Sequence, residues 1–161
     1  MRAFMTGLIL AFVVGLLVLP GVFSDTPEQP ILFNHSAHTD LECSGCHDGV
    51  EEQTFAGFPG LDTCLLCHET PLTESPEEEK IRTMAAQGLP LSWSRILRQP
   101  SHVYFSHRRH TAIGGLECSR CHEGMETLTA PPTELDGLTM DECINCHEEN
   151  RVAAGCVDCH S

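Results

Sequence analysis

All ten cysteines of this 161-residue chain fall into five copies of one pentapeptide, Cys-x-x-Cys-His. The copies are Cys43-Ser44-Gly45-Cys46-His47, Cys64-Leu65-Leu66-Cys67-His68, Cys118-Ser119-Arg120-Cys121-His122, Cys143-Ile144-Asn145-Cys146-His147 and Cys156-Val157-Asp158-Cys159-His160. A thiol pair at this spacing with histidine next to it is the attachment pattern of a c-type haem. Both sulfurs bond the porphyrin vinyl groups, and the adjacent imidazole reaches the iron from the same side. The sequence therefore predicts five covalently bound haem c groups, haem 1 to haem 5 in motif order.

Ten histidines are present, and the five outside the motifs are His35, His38, His102, His107 and His110. One spare imidazole per iron predicts ligation by histidine on both faces, with no coordination position open to a substrate. Two other uses of the cysteines fit the pattern less well. Zinc could take two thiolates and two imidazoles per site, but its histidines normally stand three to five residues apart, not directly after the second cysteine. Disulfides inside each motif would close strained rings and leave the adjacent histidines without a role. No paired carboxylates, nucleophile motif or phosphate loop is present, so no catalytic residue is predicted.

The amino terminus sets the compartment. Met1 and Arg2 precede an apolar stretch from Ala3 to Phe23, followed by the polar Ser24-Asp25-Thr26. Such a segment directs export, and its length also suits a membrane anchor; cleavage after Ser24 and retention as an anchor both stay open. Either way residues 25–161 are expected on the periplasmic side of the cytoplasmic membrane. Those 137 residues carry one Trp, one Tyr and few large aliphatics outside the motifs. So thin a chain cannot enclose five porphyrins in a conventional core, and the macrocycles themselves must form it, packed together and clasped by loops and short helices.

An internal duplication organises the chain. Phe33-Asn34-His35-Ser36-Ala37-His38-Thr39 lies over Phe105-Ser106-His107-Arg108-Arg109-His110-Thr111, and Leu41-Glu42-Cys43-Ser44 over Leu116-Glu117-Cys118-Ser119. The division expected is 1–24 as signal or anchor, 25–74 as a dihaem repeat, 75–100 as a helical connector and 101–161 as a trihaem repeat. Within each copy the two spare histidines are three apart, on one face of a helical turn, so they must reach two different haems. In the connector, Ser75 reads as an N-cap, Pro76 as the first helical residue and Glu78 as the reciprocal partner of a capping box. That helix is expected to end near Gln87, with Gly88 in the left-handed cap and Pro90 preventing continuation.

Net charge is −14, which excludes nucleic acid as a partner. Residues 25–79 hold 13 acidic side chains and no Lys or Arg, whereas Lys80 to Arg109 hold six basic residues and no acid. Arg108 and Arg109, flanked by candidate ligands, suit haem propionates.

Phe-x-His-x-x-His ahead of a Cys-x-x-Cys-His motif resembles the class III multihaem cytochromes c. In that family the first histidine of the pair ligates the haem of the next motif and the second reaches a more distant one. The resemblance implies His35 for haem 1 and His107 for haem 3, with His38 and His110 crossing to other haems. A longer stretch, Trp93-Ser94-Arg95-Ile96, then Pro100 to His110, Gly115-Leu116-Glu117-Cys118 and Leu138-Thr139-Met140-Asp141-Glu142-Cys143, is similar to the multihaem subunit of alternative complex III and related membrane quinone oxidoreductases. It implies a cytochrome tethered by one amino-terminal helix beside iron–sulfur and quinone-binding subunits. The fold expected is mostly irregular with short α-helices, class III-like and built around packed haems, with an N-terminal export or anchor helix. The function expected is relay of single electrons within or beside a quinone-linked respiratory complex. A diffusible periplasmic shuttle and a small multihaem reductase of a nitrogen or sulfur oxyanion with one open haem are the alternatives.

Overall fold

Each motif closes a single helical turn. The amide of the motif histidine donates to the carbonyl of the first cysteine four residues earlier, at 2.9 Å for His47 to Cys43, His122 to Cys118 and His160 to Cys156. One turn of 3.6 residues thus returns the histidine to the face of the first thiol. The computed structural model describes residues 28–161 except 98, 136 and 137, and the expected export or anchor segment lies outside the described residues.

Four α-helices lie in this stretch: α1 (Leu61–His68), α2 (Pro76–Ala86), α3 (Met140–Glu149) and the short α4 (Cys156–Cys159). Three of them carry motifs, the second on α1, the fourth on α3 and the fifth on α4. Motifs one and three sit on 3-10 turns, Cys43–Gly45 and Cys118–Arg120. Among the described residues there is no strand beyond a single antiparallel bridge between Val103 and His160, and no helix long and apolar enough to cross a membrane. The fold is thus mostly irregular with short helices, as the sequence predicts.

The two helical motifs of the repeat share a phase and differ in their caps. Both helices start three residues before the first cysteine, α1 after Gly60 with no side-chain cap and α3 after Thr139. Thr139 accepts from the Glu142 amide while the Glu142 carboxylate accepts from the Thr139 amide, a complete capping box. α2 ends as its sequence indicates. Gly88 is left-handed at φ 65°, its amide donates to the Ala85 carbonyl at 3.1 Å, and the Leu89 amide reaches the Met84 carbonyl at 2.9 Å.

At its start α2 departs from expectation. Ser75 caps the Glu77 amide at 3.3 Å, but Glu78 does not return to Ser75. Its carboxylate turns to the preceding loop instead, accepting from the Leu72 and Thr73 amides at 2.8 and 2.9 Å and from the Thr73 hydroxyl at 2.5 Å. The Ser75 amide is satisfied by the Thr73 hydroxyl at 3.1 Å. Three donors in one loop outcompete a single amide for the same two oxygens.

The polypeptide has almost no core of its own. Among the described residues the buried apolar side chains are Ile31 and Ile81, and α2 packs on α1 around the latter. Two buried isoleucines, at about 1.5–3 kcal/mol each, do not order a chain of this length. Leu66 and Val157, both inside motifs, are 84% exposed, and Phe55, Phe58, Tyr104, Ile113 and Met140 are also largely uncovered. Met140, 60% exposed, is thus unpacked against protein.

Candidate functional site

Four of the five spare histidines each face one motif histidine, and no histidine serves in two pairs. Ring centroids are 6.1 Å apart for His38 and His68, 6.4 Å for His107 and His122, 6.0 Å for His110 and His147, and 5.6 Å for His102 and His160. An iron held by imidazole on both faces sets two centroids about 6 Å apart, from two metal–nitrogen bonds of about 2 Å and the two ring radii. His35 and His47 are the two histidines left over. Burial lowers the pKa of His35, and the neighbouring His47 and then His38 lower it further.

The spare histidines are aimed by phenylalanines in both copies of the repeat. Phe33 meets His35 edge-on at 4.8 Å and lies nearly parallel to His38 at 4.7 Å; Phe105 does the same for His107 at 4.9 Å and His110 at 4.7 Å. The two histidines of a pair are therefore held apart by an aromatic ring and sent to different motifs. The helical turn expected around them differs between copies. His35–Ala37 is a 3-10 turn with Asn34 as cap, whereas Arg109–Ile113 is a π-turn.

Hydrogen bonds settle which ring nitrogen is free. A carbonyl only accepts, so a histidine bound to one through Nδ1 carries its proton there and leaves the Nε2 lone pair for a metal. Five histidines are held so: His38 to Asn34 at 2.8 Å, His47 to Gly57 at 3.0 Å, His107 to Thr54 at 3.2 Å, His110 to Ser106 at 2.8 Å and His147 to Ala153 at 2.8 Å. Nδ1 of His35 and Nδ1 of His68 are buried and make no hydrogen bond. His122 is pushed toward its neutral form by burial, then by His107 and His47.

Two anchors seat the fifth site at the carboxyl terminus. The Tyr104 amide donates to the Cys159 carbonyl at 2.7 Å and the Ser161 amide to the His102 carbonyl at 3.1 Å, so the loop bearing His102 is laced to the last motif.

No disulfide joins any of the ten cysteines, which are exposed or half-buried. Among the described residues no three His, Cys, Asp or Glu side chains converge as a metal cage, so the donor set that tetrahedral zinc needs is not assembled there. Instead each thiol pair lies along a face ended by its own histidine, with a second imidazole beyond the gap. The residues present therefore fit haem c.

Thiol neighbours show how the sites adjoin. Burial raises the thiol pKa of Cys64, and Cys46 beside it adds to the shift; for Cys118 the neighbour is Cys43, for Cys121 it is Cys146, and for Cys143 it is Cys121 and then Cys159. Glu42-Cys43-Ser44 and Glu117-Cys118-Ser119, the matching segments of the duplication, line one cleft of about 180 Å³ from opposite sides.

One further residue belongs to the site and no local pattern in the sequence marks it. Glu78, 5% exposed, places Oε1 3.2 Å from His68 Nδ1, off the straight donor line. Arg82 binds the same oxygen at 2.7 Å. The hydroxyl of Thr73, the Leu72 amide and Arg82 hold this carboxyl far below the usual carboxylate range.

Two family models match the chain. Residues 20–89 match the class III cytochrome C family, and residues 103–161 match cytochrome c7 and related cytochrome c. The first span holds motifs one and two and the second holds the other three. With its histidine-paired sites, the chain belongs to the multihaem cytochromes c, electron-transfer proteins whose haem is bound covalently. It is 33% identical over 153 residues to the protein described as "Menaquinone reductase, multiheme cytochrome c subunit" of Nitratidesulfovibrio vulgaris strain Hildenborough, across 92% of this chain and 71% of the relative.

Proposed function

We propose that the protein is a pentahaem relay that passes single electrons on the periplasmic side of the cytoplasmic membrane, as part of a menaquinone-linked respiratory complex. The observation that carries this reading is the set of spare and motif histidines lying about one iron's width apart. On it, the ligand pairs are His38 and His68 for haem 2, His107 and His122 for haem 3, His110 and His147 for haem 4, and His102 and His160 for haem 5, and elimination leaves His35 and His47 for haem 1. Cys43 and Cys46, Cys64 and Cys67, Cys118 and Cys121, Cys143 and Cys146, and Cys156 and Cys159 supply the thioethers. Haem c supplies the one-electron iron couple; the chain supplies attachment, closed coordination and spacing.

The thiol neighbours support an order along the molecule of haem 2, haem 1, haem 3, haem 4 and haem 5. The spacer between each histidine pair joins haem 1 to haem 2 and haem 3 to haem 4, and the cleft shared by Cys43 and Cys118 joins the halves. The division into a dihaem repeat at 25–74, a connector at 75–100 and a trihaem repeat at 101–161 follows the same count, with residues 1–24 serving export or anchorage. Partners fitting this role are a quinone-binding integral subunit and an iron–sulfur subunit.

Two measurements test the reading. Pyridine haemochrome absorbance with intact mass on protein matured in a bacterial periplasm should give five haems per chain, and the ferric spectrum should be wholly low-spin. A high-spin component equal to one haem would replace this reading with the reductase alternative. Recovery alone from the soluble fraction, with no membrane subunit co-purifying, would replace the complex with a diffusible shuttle.

A further inference from the structure

Nδ1 of the candidate ligands differs in its surroundings. His38, His47, His107, His110 and His147 each meet a neutral backbone carbonyl at 2.8–3.2 Å. His68 makes no hydrogen bond there, and instead its Nδ1 lies 3.2 Å from a buried carboxylate oxygen as a charge contact. Within one molecule, the others provide the comparison for the exception.

That carboxylate is held, not loosely placed. Glu78 receives the Leu72 and Thr73 amides, the Thr73 hydroxyl and the Arg82 guanidinium, while Arg82 also pairs with Glu79 at 2.6 Å. Glu78, Glu79 and Arg82 together keep one net negative charge beside His68. A fixed negative charge 3.2 Å from Nδ1 stabilises positive charge on the ring and on a metal bound to it, and so favours Fe(III) over Fe(II). A backbone carbonyl does this less.

We propose that Glu78 is a positioning residue that, through His68, gives haem 2 the lowest reduction potential of the five. The proposal rests on His68 and His38 ligating haem 2. It places the most strongly reducing haem at one end of the row, beside α2.

The test is a potentiometric titration of the five-haem protein, followed by visible and EPR spectra, with Glu78→Gln, Glu78→Asp and Glu79→Gln. In the wild type, the last haem to accept an electron should be the one whose low-spin EPR signal His68→Met alters. Glu78→Gln should raise the reduced-to-oxidised ratio of that haem at fixed potential at least tenfold, which is about 59 mV for a one-electron couple, and shift its EPR signal. Glu78→Asp keeps the charge but withdraws the oxygen, and should shift the same haem in the same direction. Glu79→Gln removes a charge from the same helix and should change the ratio less than twofold. Should Glu78→Gln fail to take up five haems, Glu78→Asp carries the test alone. The proposal falls if the Glu78 variants leave every haem within twofold, or if Glu78→Asp behaves as wild type, which would mean charge at a distance and not the contact at Nδ1. If His68→Met leaves five bis-imidazole signals unchanged, the ligation reading is what fails.

Discussion

At the scale of single residues, donor identity is legible in the sequence and partnership is not. Cys-x-x-Cys-His names its own chemistry, and five leftover histidines match five motifs by count, but count says nothing about which spare meets which motif. Pairing is set by tertiary placement. His102 lies outside the repeat and still comes within 5.6 Å of His160, because the Val103–His160 bridge and the Ser161 amide tie its loop to the last motif. Exchanging this imidazole for a thioether therefore has a defined expectation. His102→Met should leave five haems bound and convert haem 5 to histidine–methionine ligation, which raises a haem's potential. We expect the reduced-to-oxidised ratio of a single haem to rise more than tenfold, about 59 mV or more, with a methionine–iron charge-transfer band appearing in the ferric spectrum. Two haems shifting together would show that His102 does not serve haem 5 alone.

At the scale of elements, local rules succeed where a helix stands by itself and fail where a carboxylate has better donors nearby. Ser75, Pro76, Gly88 and Pro90 bound α2 correctly, because caps act within a few residues. The capping pattern assigns Glu78 to the same cap, yet the loop at Leu72 and Thr73 draws it away, a competition no window of sequence displays. Two glycines separate structural from functional roles. Gly88 sits at φ 65° with open space where a Cβ would stand, so Gly88→Ala meets no neighbour and carries only the left-handed strain. That strain is about 1–2 kcal/mol, a thermal midpoint lower by roughly 4 °C, with the haem spectra unchanged. Gly114 ends the π-turn bearing His110, and a Cβ there lies 2.7 Å from the His110 carbonyl oxygen and 3.2 Å from that of Arg109. Both are backbone atoms, so the turn itself must move. Gly114→Ala should accordingly alter the low-spin EPR signal of one haem, the one His110 serves, besides lowering the midpoint. An unchanged spectrum in Gly114→Ala would mean that the turn does not fix that imidazole.

At the scale of the whole molecule, the duplication is legible as sequence, but its consequence is not. Matching segments could lie end to end or face each other, and here Glu42-Cys43-Ser44 and Glu117-Cys118-Ser119 meet across one cleft, so the two halves join through their first attachment sites. Charge adds a direction to that arrangement. Residues 25–79, which carry the first two motifs, hold thirteen acids and no Lys or Arg, and the basic residues begin only at Lys80. Like charges gathered at one end focus an attractive field on a cationic visitor, and association steered by such a field weakens as salt screens it, the Debye length falling from about 30 Å at 0.01 M to about 10 Å at 0.1 M. A small basic redox protein should therefore exchange electrons with this cytochrome through the acidic half that carries the first two motifs. Its second-order rate, measured by stopped flow, should fall about tenfold or more over that salt range. Reversing the exposed pair Glu51 and Glu52 to Lys should slow the reaction at low salt and flatten its salt dependence, while the same change at Glu148 and Glu149, beside haem 4, should have a much smaller effect. Equal slowing by both double variants would mean that net charge alone governs the encounter, and that the acidic end keeps the protein soluble without choosing where partners land.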